Sequence, residues 1–227
     1  MPVALLTGAS AGLGLATAQA LAERQWTLII DARGETALHH AAGTLPHTTA
    51  IPGDVADPAH RGHLAAAVEQ AGGLDLLINN ASYLGPSPQP ALADYPLEEL
   101  ERVYQVDVLA PLALTQLVLP HLIASAGTIV NISSDAAVEP YPGWGGYGSA
   151  KAALDQLTAI LGAENPHLKV YGFDPGDMRT AMHQQAYPGE DISDRAEPHT
   201  VVPALLHLID SRPDSGRYRA ADLAVRA

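Results

Sequence analysis

A short apolar run, Val3-Ala4-Leu5-Leu6, passes directly into Thr7-Gly8-Ala9-Ser10-Ala11-Gly12-Leu13-Gly14. The run shows no two-residue period, as expected of a strand buried on both faces of a parallel sheet. Past the glycines the period becomes helical, with Leu13, Ala16, Thr17, Ala20 and Leu21 on one face. Glycine tolerates positive φ and lets backbone approach a ligand, while the first N–H groups of a helix lack internal partners and carry partial positive charge. A strand, this bend and a helix in sequence therefore predict an anion site suited to phosphate. The spacing is G-x-x-x-G-x-G rather than the commoner G-x-G-x-x-G, so the glycines match the general dinucleotide fingerprint only loosely; the flanking strand and helix supply the context that it requires.

Strands and helices alternate through the rest of the chain. Thr27-Leu28-Ile29-Ile30 reads as a second buried strand, residues 35–42 as a short helix, and 48–51 as a third strand ending in Gly53-Asp54-Val55. Pro58 suits the first turn of a helix reaching residue 71, and a fourth strand over 74–78 stops at Asn79-Asn80-Ala81-Ser82. A proline-rich connection over 82–96 leads to a long helical region, 97–124, that Pro111 should kink by removing a hydrogen bond and crowding the preceding turn. A fifth strand over 128–132 runs into Ser133-Ser134, a helix over 147–161 precedes a sixth strand, 169–173, and a last helix covers 201–209 before an edge strand at 216–220. Alternation with short links is the signature of parallel βαβ units and a doubly wound sheet. The expectation is a single α/β domain of three layers, with a loop over 183–198 that is either a lid or mobile segment or a surface excursion without a role.

The chain carries a formal net charge of -13, which repels a nucleic-acid backbone or an anionic membrane surface in the absence of a basic patch, and its 12 Lys and Arg form none. No apolar run reads as long enough to span a bilayer and no charged leader precedes the first strand, so a cytoplasmic protein is expected. The absence of cysteine excludes disulfides, thiolate catalysis and cysteine-based zinc sites. No metal site is expected from the ten histidines either: His60 and His63 share a helix face without a third ligand and read as solvated.

Tyr147-Gly148-Ser149-Ala150-Lys151 sets a phenol and an ammonium four residues apart on one helix face. A phenol with an ordinary pKa of about 10 is a poor base at neutral pH unless a neighbouring positive charge favours its anion, and Lys151 can supply that charge. Ser134 stands 13 residues before Tyr147 at the end of a strand, where its hydroxyl can face the same crevice.

Taken in order, Thr7-Gly8-x-x-x-Gly12-x-Gly14, Asp54, Asn79-Asn80-Ala81, Ser134, Tyr147-x-x-x-Lys151 and Pro175-Gly176-x-x-x-Thr180 resemble the short-chain dehydrogenase/reductase family over nearly the full length. The resemblance implies a Rossmann-like fold and hydride transfer between a nicotinamide cofactor and a carbonyl or secondary alcohol. It implies that Gly8, Ser10, Gly12, Leu13 and Gly14 hold the pyrophosphate, Asp54 and Val55 the adenine, and Asn80 and Ala81 the ribose side. Tyr147 would be the general acid or base, Ser134 the partner of the substrate oxygen, and Lys151 the group that binds the nicotinamide ribose and lowers the Tyr147 pKa. Pro175, Gly176, Met178 and Thr180 would border the carboxamide. Homodimers or homotetramers through the helices at 97–124 and 147–161 would follow as well. A binding or regulatory protein that keeps nucleotide binding without catalysis is the alternative.

Two positions depart from the family pattern. Ser82 follows Asn-Asn-Ala where glycine is usual, and Asp107 stands in the kinked helix where an asparagine usually holds a water of the proton relay. A carboxylate could hold that water, or satisfy backbone groups at the kink; Asp107→Asn is expected to keep or raise turnover. Cofactor choice turns on Asp31-Ala32-Arg33. An acid here accepts from the adenosine ribose and selects NAD(H), whereas an arginine pairs with a 2′-phosphate. Counting from Gly14 puts the discriminating position on Ala32 beside Arg33, favouring NADP(H), with NAD(H) the outcome if Asp31 takes that place. Tyr83, Leu84, Trp144 and Met182 are candidates for an apolar substrate cleft, with Glu139 and Tyr141 for polar contacts.

Overall fold

The structure, a computed structural model, describes residues 1–223. Seven strands form one all-parallel sheet in the order β3-β2-β1-β4-β5-β6-β7: β1 (Val3–Leu6), β2 (Thr27–Ala32), β3 (Thr48–Pro52), β4 (Leu76–Asn79), β5 (Thr128–Ile132), β6 (Lys169–Asp174) and β7 (Gly216–Arg219). The doubly wound, three-layer α/β/α expectation holds. The chain builds outward from β1 in one direction, then crosses to β4 and builds in the other, so the carboxyl ends of β1 and β4 border the point where strand order reverses.

Along each central strand successive side chains enter opposite cores. Leu6, Ile30, Ile78 and Val130 pack on one face beneath α1 (Gly12–Glu23) and α8 (Pro198–Ser211). Leu5, Ile29, Leu77 and Ile129 pack on the other beneath α3 (Pro58–Gln70) and α5 (Ala110–Ser125). Both sets are apolar, which erases any two-residue period from the sequence. Each such side chain contributes about 1.5–3 kcal/mol when fully buried. The edge strands β3 and β7 are only half-covered. The remaining helices are α2 (Glu35–Ala42), α4 (Leu97–Tyr104), α6 (Gly145–Glu164) and α7 (Ala181–Ala186).

Three expectations change. The kink assigned to Pro111 is a π turn at Gln105–Leu109, just before the proline. The ring cannot accept an α-helical neighbour four residues back, so the turn widens there and Pro111 falls in the first turn of α5, where a missing N–H costs nothing. Because the widening keeps the helix continuous, Leu97–Ser125 becomes a run of 29 residues that is long and apolar enough, by length and composition, to cross a bilayer, which the sequence reading had excluded. Its inner residues Leu114, Val118 and Leu122 are sealed against the sheet. The expected loop at 183–198 is partly helical: α7 opens it, capped by Thr180, whose hydroxyl accepts from the His183 amide.

Candidate active site

The bend between β1 and α1 is held from beneath. Gly8 and Gly12 have φ of 67° and 56°, and Ala11, at the N-cap of α1, provides no side-chain cap, leaving the first amides of the helix for an anion. The Asn80 amide donates to the Thr7 and Gly8 carbonyls at 2.9 and 3.1 Å, and the Thr7 hydroxyl oxygen accepts from the Asn80 and Ala81 amides at 3.0 Å each. These bonds bolt the ends of β1 and β4 together across the switch point. Gly14 serves the same junction: a Cβ there would lie 2.4 Å from the Gly8 carbonyl oxygen. It backs the turn, whereas Gly8, Ser10, Gly12 and Leu13 face the cleft.

Asp31 lies under this bend at 1% exposure. One carboxylate oxygen accepts from the Gly8 amide at 2.8 Å and the other pairs with His60 Nε2 at 2.9 Å. His60 is therefore buried, not solvated as its helix face suggested: Gly53 leaves the room, since a Cβ there would meet the imidazole at 2.1 Å. Arg33, two residues on, is exposed and borders the cleft with Asp54 and Val55.

At the other end α6 carries Tyr147 and Lys151, both buried, into the cleft. The helix can approach this closely because Gly148 packs on the Ser134–Ala136 turn, where a Cβ would sit 2.6 Å from the Ala136 carbonyl oxygen. The Lys151 ammonium lies 5.4 Å from the Tyr147 ring centre, donates to the Ile132 carbonyl at 2.9 Å and pairs with Asp107 Oδ1 at 3.1 Å. Asp107, at 0% exposure, also accepts from the Ser82 hydroxyl and from the Tyr83 amide at 3.2 Å. The π turn thus aims the carboxylate at the lysine and at the end of β4, not at loose backbone of its own helix. Ser134 borders the cleft, its hydroxyl donating to Asp135 at 3.0 Å and accepting from the Ala136 amide at 3.2 Å. Its carbonyl is held by Arg217, which also binds Asp155 and Asp174, tying β5, β6 and α6 together behind the serine.

The two ends share one cleft of about 720 Å³. Asn80 and Ala81 line its middle, and Pro175, Gly176, Met178 and Thr180 close it from the β6 side. Beyond Tyr147 the walls turn apolar, with Leu84, Ala136, Trp144, Met182 and Ala186 packed around the phenol. Tyr83 is not among them. Its hydroxyl donates to Glu99 at 2.7 Å and Arg102 covers its ring at 4.4 Å, so it faces away. Glu139 and Tyr141 stay outside the wall; Tyr141 donates to Asp135 at 2.9 Å.

Residues 2–191 match the family model described as short chain dehydrogenase. The chain belongs to the short-chain dehydrogenase family. It is 34% identical to a 2-(R)-hydroxypropyl-CoM dehydrogenase from Xanthobacter autotrophicus over 203 residues, 85% of this chain and 81% of that one. To sepiapterin reductase from Mus musculus it is 35% identical over 201 residues, covering 81% and 77%. A short chain dehydrogenase from Shigella flexneri, solved in complex with NADP, superposes with a TM-score of 0.88 at 29% identity and 97% coverage of both chains.

As a short-chain dehydrogenase, this protein is an NAD(P)-dependent oxidoreductase, and its cleft fits such a cofactor. The uncapped start of α1 and the positive-φ glycines form a cradle for a diphosphate, and the buried phenol and ammonium stand at the far end of the same groove. Burial pushes the Tyr147 phenol above its ordinary value; Lys151 pulls it down, but Asp107 behind the lysine pushes it up, so the depression expected from Lys151 alone does not prevail. For Lys151 burial acts downward, yet the charges of Tyr147 and Asp107 outweigh it and the ammonium is held. Burial raises the Asp107 carboxyl, opposed by Lys151 and the Ser82 hydroxyl. Sequence reading missed Asp135 and Asp177 on the cleft wall and the Asp31–His60 pair beneath it. A carboxylate beside the serine, Ser134-Asp135, was the available signal for the first. Nothing in spacing announces a contact between residues 29 apart.

Proposed function

We propose that the enzyme transfers hydride between NADP(H) and a carbonyl or secondary alcohol, with Tyr147 as general acid in reduction and general base in oxidation. The observation that carries this reading is the buried Tyr147–Lys151 pair facing the same cleft as the glycine bend. The nicotinamide supplies the hydride; the chain supplies position, a proton and compensation of charge on the substrate oxygen. Ser134 hydrogen-bonds that oxygen once its hydroxyl turns from Asp135, and Lys151 holds the ribose while favouring the phenolate. Monitoring cofactor oxidation at 340 nm across a carbonyl panel that includes sepiapterin, for the wild type and Tyr147→Phe, tests it. Wild-type rates in the variant would overturn the assignment.

NADP(H) is favoured because both carboxylate oxygens of Asp31 are already engaged, by Gly8 and His60, while the exposed Arg33 borders the cleft beside it. A lower KM for NADH than for NADPH would reverse this choice. Leu84, Trp144, Met182 and Ala186 fit an apolar, ring-bearing substrate, and the segment 183–198 would cover it. The exposed Leu109 of the π turn, Leu117 and Ile123 of α5 and Ile160 of α6 suit a homodimer or homotetramer of a cytoplasmic enzyme. Sedimentation of wild type against Leu117→Glu tests the assembly, and an unchanged monomer in both would count against it.

A further inference from the structure

The edge strand β7 lies beyond the residues that match the family model, yet it reaches the catalytic end through one side chain. Arg217 pairs in register with Gly172 of β6 and extends past that strand to the turn after β5. Its Nε donates to Asp155 Oδ2 at 2.9 Å, and its Nη2 donates to the Ser134 carbonyl at 2.9 Å and to Asp174 Oδ2 at 2.8 Å. The other oxygen of Asp174 accepts from the Gly176 amide at 3.0 Å. Gly172 leaves the room this cluster needs: a Cβ there would lie 3.0 Å from Asp155 Oδ1.

Each partner belongs to a different working segment. Ser134 carries the hydroxyl assigned to the substrate oxygen. Asp155 follows Tyr147 and Lys151 on α6 at the same four-residue spacing, so it shares their helix face. Asp174 leads into Pro175-Gly176, which borders the cleft on the β6 side. The β5–β6 ladder ends at Ile132 and Phe173, and Ser134 and Gly176 lie past it. We propose that Arg217 is a positioning residue for hydride transfer, its guanidinium holding the serine, the Tyr147–Lys151 helix and the turn beside the nicotinamide in one frame. This rests on the catalytic reading of Tyr147 given above. Hydride moves between atoms brought to about 3–3.5 Å, and a displacement near 1 Å costs on the order of 10²-fold in rate. Cofactor and substrate are held by separate segments, so any slip between those segments enters that distance directly. Arginine suits the task because its donors lie in a rigid planar fork; a lysine ammonium keeps the charge on a flexible stem without that fork.

The test compares Arg217→Lys, Arg217→Ala and Asp155→Ala with wild type, using NADPH and the fastest carbonyl of the panel. It reads the single-turnover hydride-transfer rate by stopped-flow absorbance at 340 nm, NADPH binding by fluorescence titration, and the melting temperature. Arg217→Ala should lose about 10²-fold in hydride transfer and Arg217→Lys about tenfold, with NADPH affinity within about twofold of wild type. Asp155→Ala cuts only the tie to α6 and should lose roughly three- to tenfold, which keeps the test decisive if the arginine variants fail to fold. Wild-type hydride-transfer rates in the folded variants, however far their melting temperatures drop, would overturn the positioning role and leave Arg217 a structural brace. A rate loss matched by an equal loss of NADPH affinity would overturn it as well, since the whole cleft would then have collapsed. Wild-type turnover in Tyr147→Phe would instead remove the function on which the inference rests.

Discussion

The two ends of the cleft are built from different materials. At the glycine bend the working surface is backbone, set by steric fit: Gly14 against the Gly8 carbonyl, Asn80 and Thr7 strapping β1 to β4, and Asp31 with His60 propping Gly8 from below. At the other end it is side chains: Tyr147, Lys151 and Asp107 buried together, with the half-buried Ser82 donating to Asp107. The first end tolerates no added volume at Gly14 or Gly53. The second has room for conservative substitution, yet every charge in it alters a neighbour's protonation. Substitutions at the bend should therefore act on stability and cofactor affinity, and those around the phenol on rate and pH dependence.

The sharpest break in that contrast comes from Tyr147→Phe. Loss of the acid–base group should lower kcat by about 10²–10⁴-fold. NADPH affinity, by fluorescence titration, should stay near wild type. If affinity collapsed together with rate, the phenol would be part of the structural end after all. His60→Ala attacks the other end. It strips a buried carboxylate of its partner and should cost roughly 1–3 kcal/mol. At about 2–4 °C per kcal/mol for a chain of this size, a thermal scan resolves it. Gly14→Ala should cost about 1–3 kcal/mol, because the Gly8 carbonyl must shift, and the shift should weaken NADPH binding as well. A Gly14→Ala protein with wild-type melting and wild-type NADPH affinity would show that the bend is looser than its contacts indicate.

The same contrast governs what was legible in the chain. The parallel sheet could be read from Val3-Ala4-Leu5-Leu6 and its successors because burial on both faces makes a strand continuously apolar, and Tyr147 and Lys151 because helical spacing puts positions four apart on one face. Asn80 and Ala81 could be placed by motif, but not the two carbonyls that the Asn80 amide ties down. His60 read as solvated because its helix shows too little apolar periodicity to reveal that one histidine turns inward to meet Asp31. The link between Ser82 and Asp107 was hidden for a related reason. The positions were visible separately as departures, and only the π turn, a local response to Pro111, brings them into contact. Tyr83 failed as a cleft residue because Glu99 and Arg102 on α4 offer its hydroxyl and ring better partners.

The smallest expected effect is the one that separates the two ends most finely. Because burial and Asp107 hold the Tyr147 phenol above its ordinary value of about 10, the protonated form prevails at neutral pH. Reduction, which needs that proton, should run level through neutrality and fall only as pH climbs past the raised value. Oxidation needs the phenolate and should rise with pH over the same interval. Asp107→Asn removes the carboxylate that pushes the phenol up but keeps an amide oxygen to accept from Ser82. The Tyr147 value should then drop, and the oxidation limb should move to lower pH, with turnover at neutral pH kept or raised. Thermal stability should change less than in His60→Ala, because a neutral amide buried beside Lys151 still has donors to bond. A limb that moved upward, or activity lost completely, would mean that Asp107 acts mainly by holding Lys151 in place, and the catalytic end would then be as dependent on rigid fit as the bend.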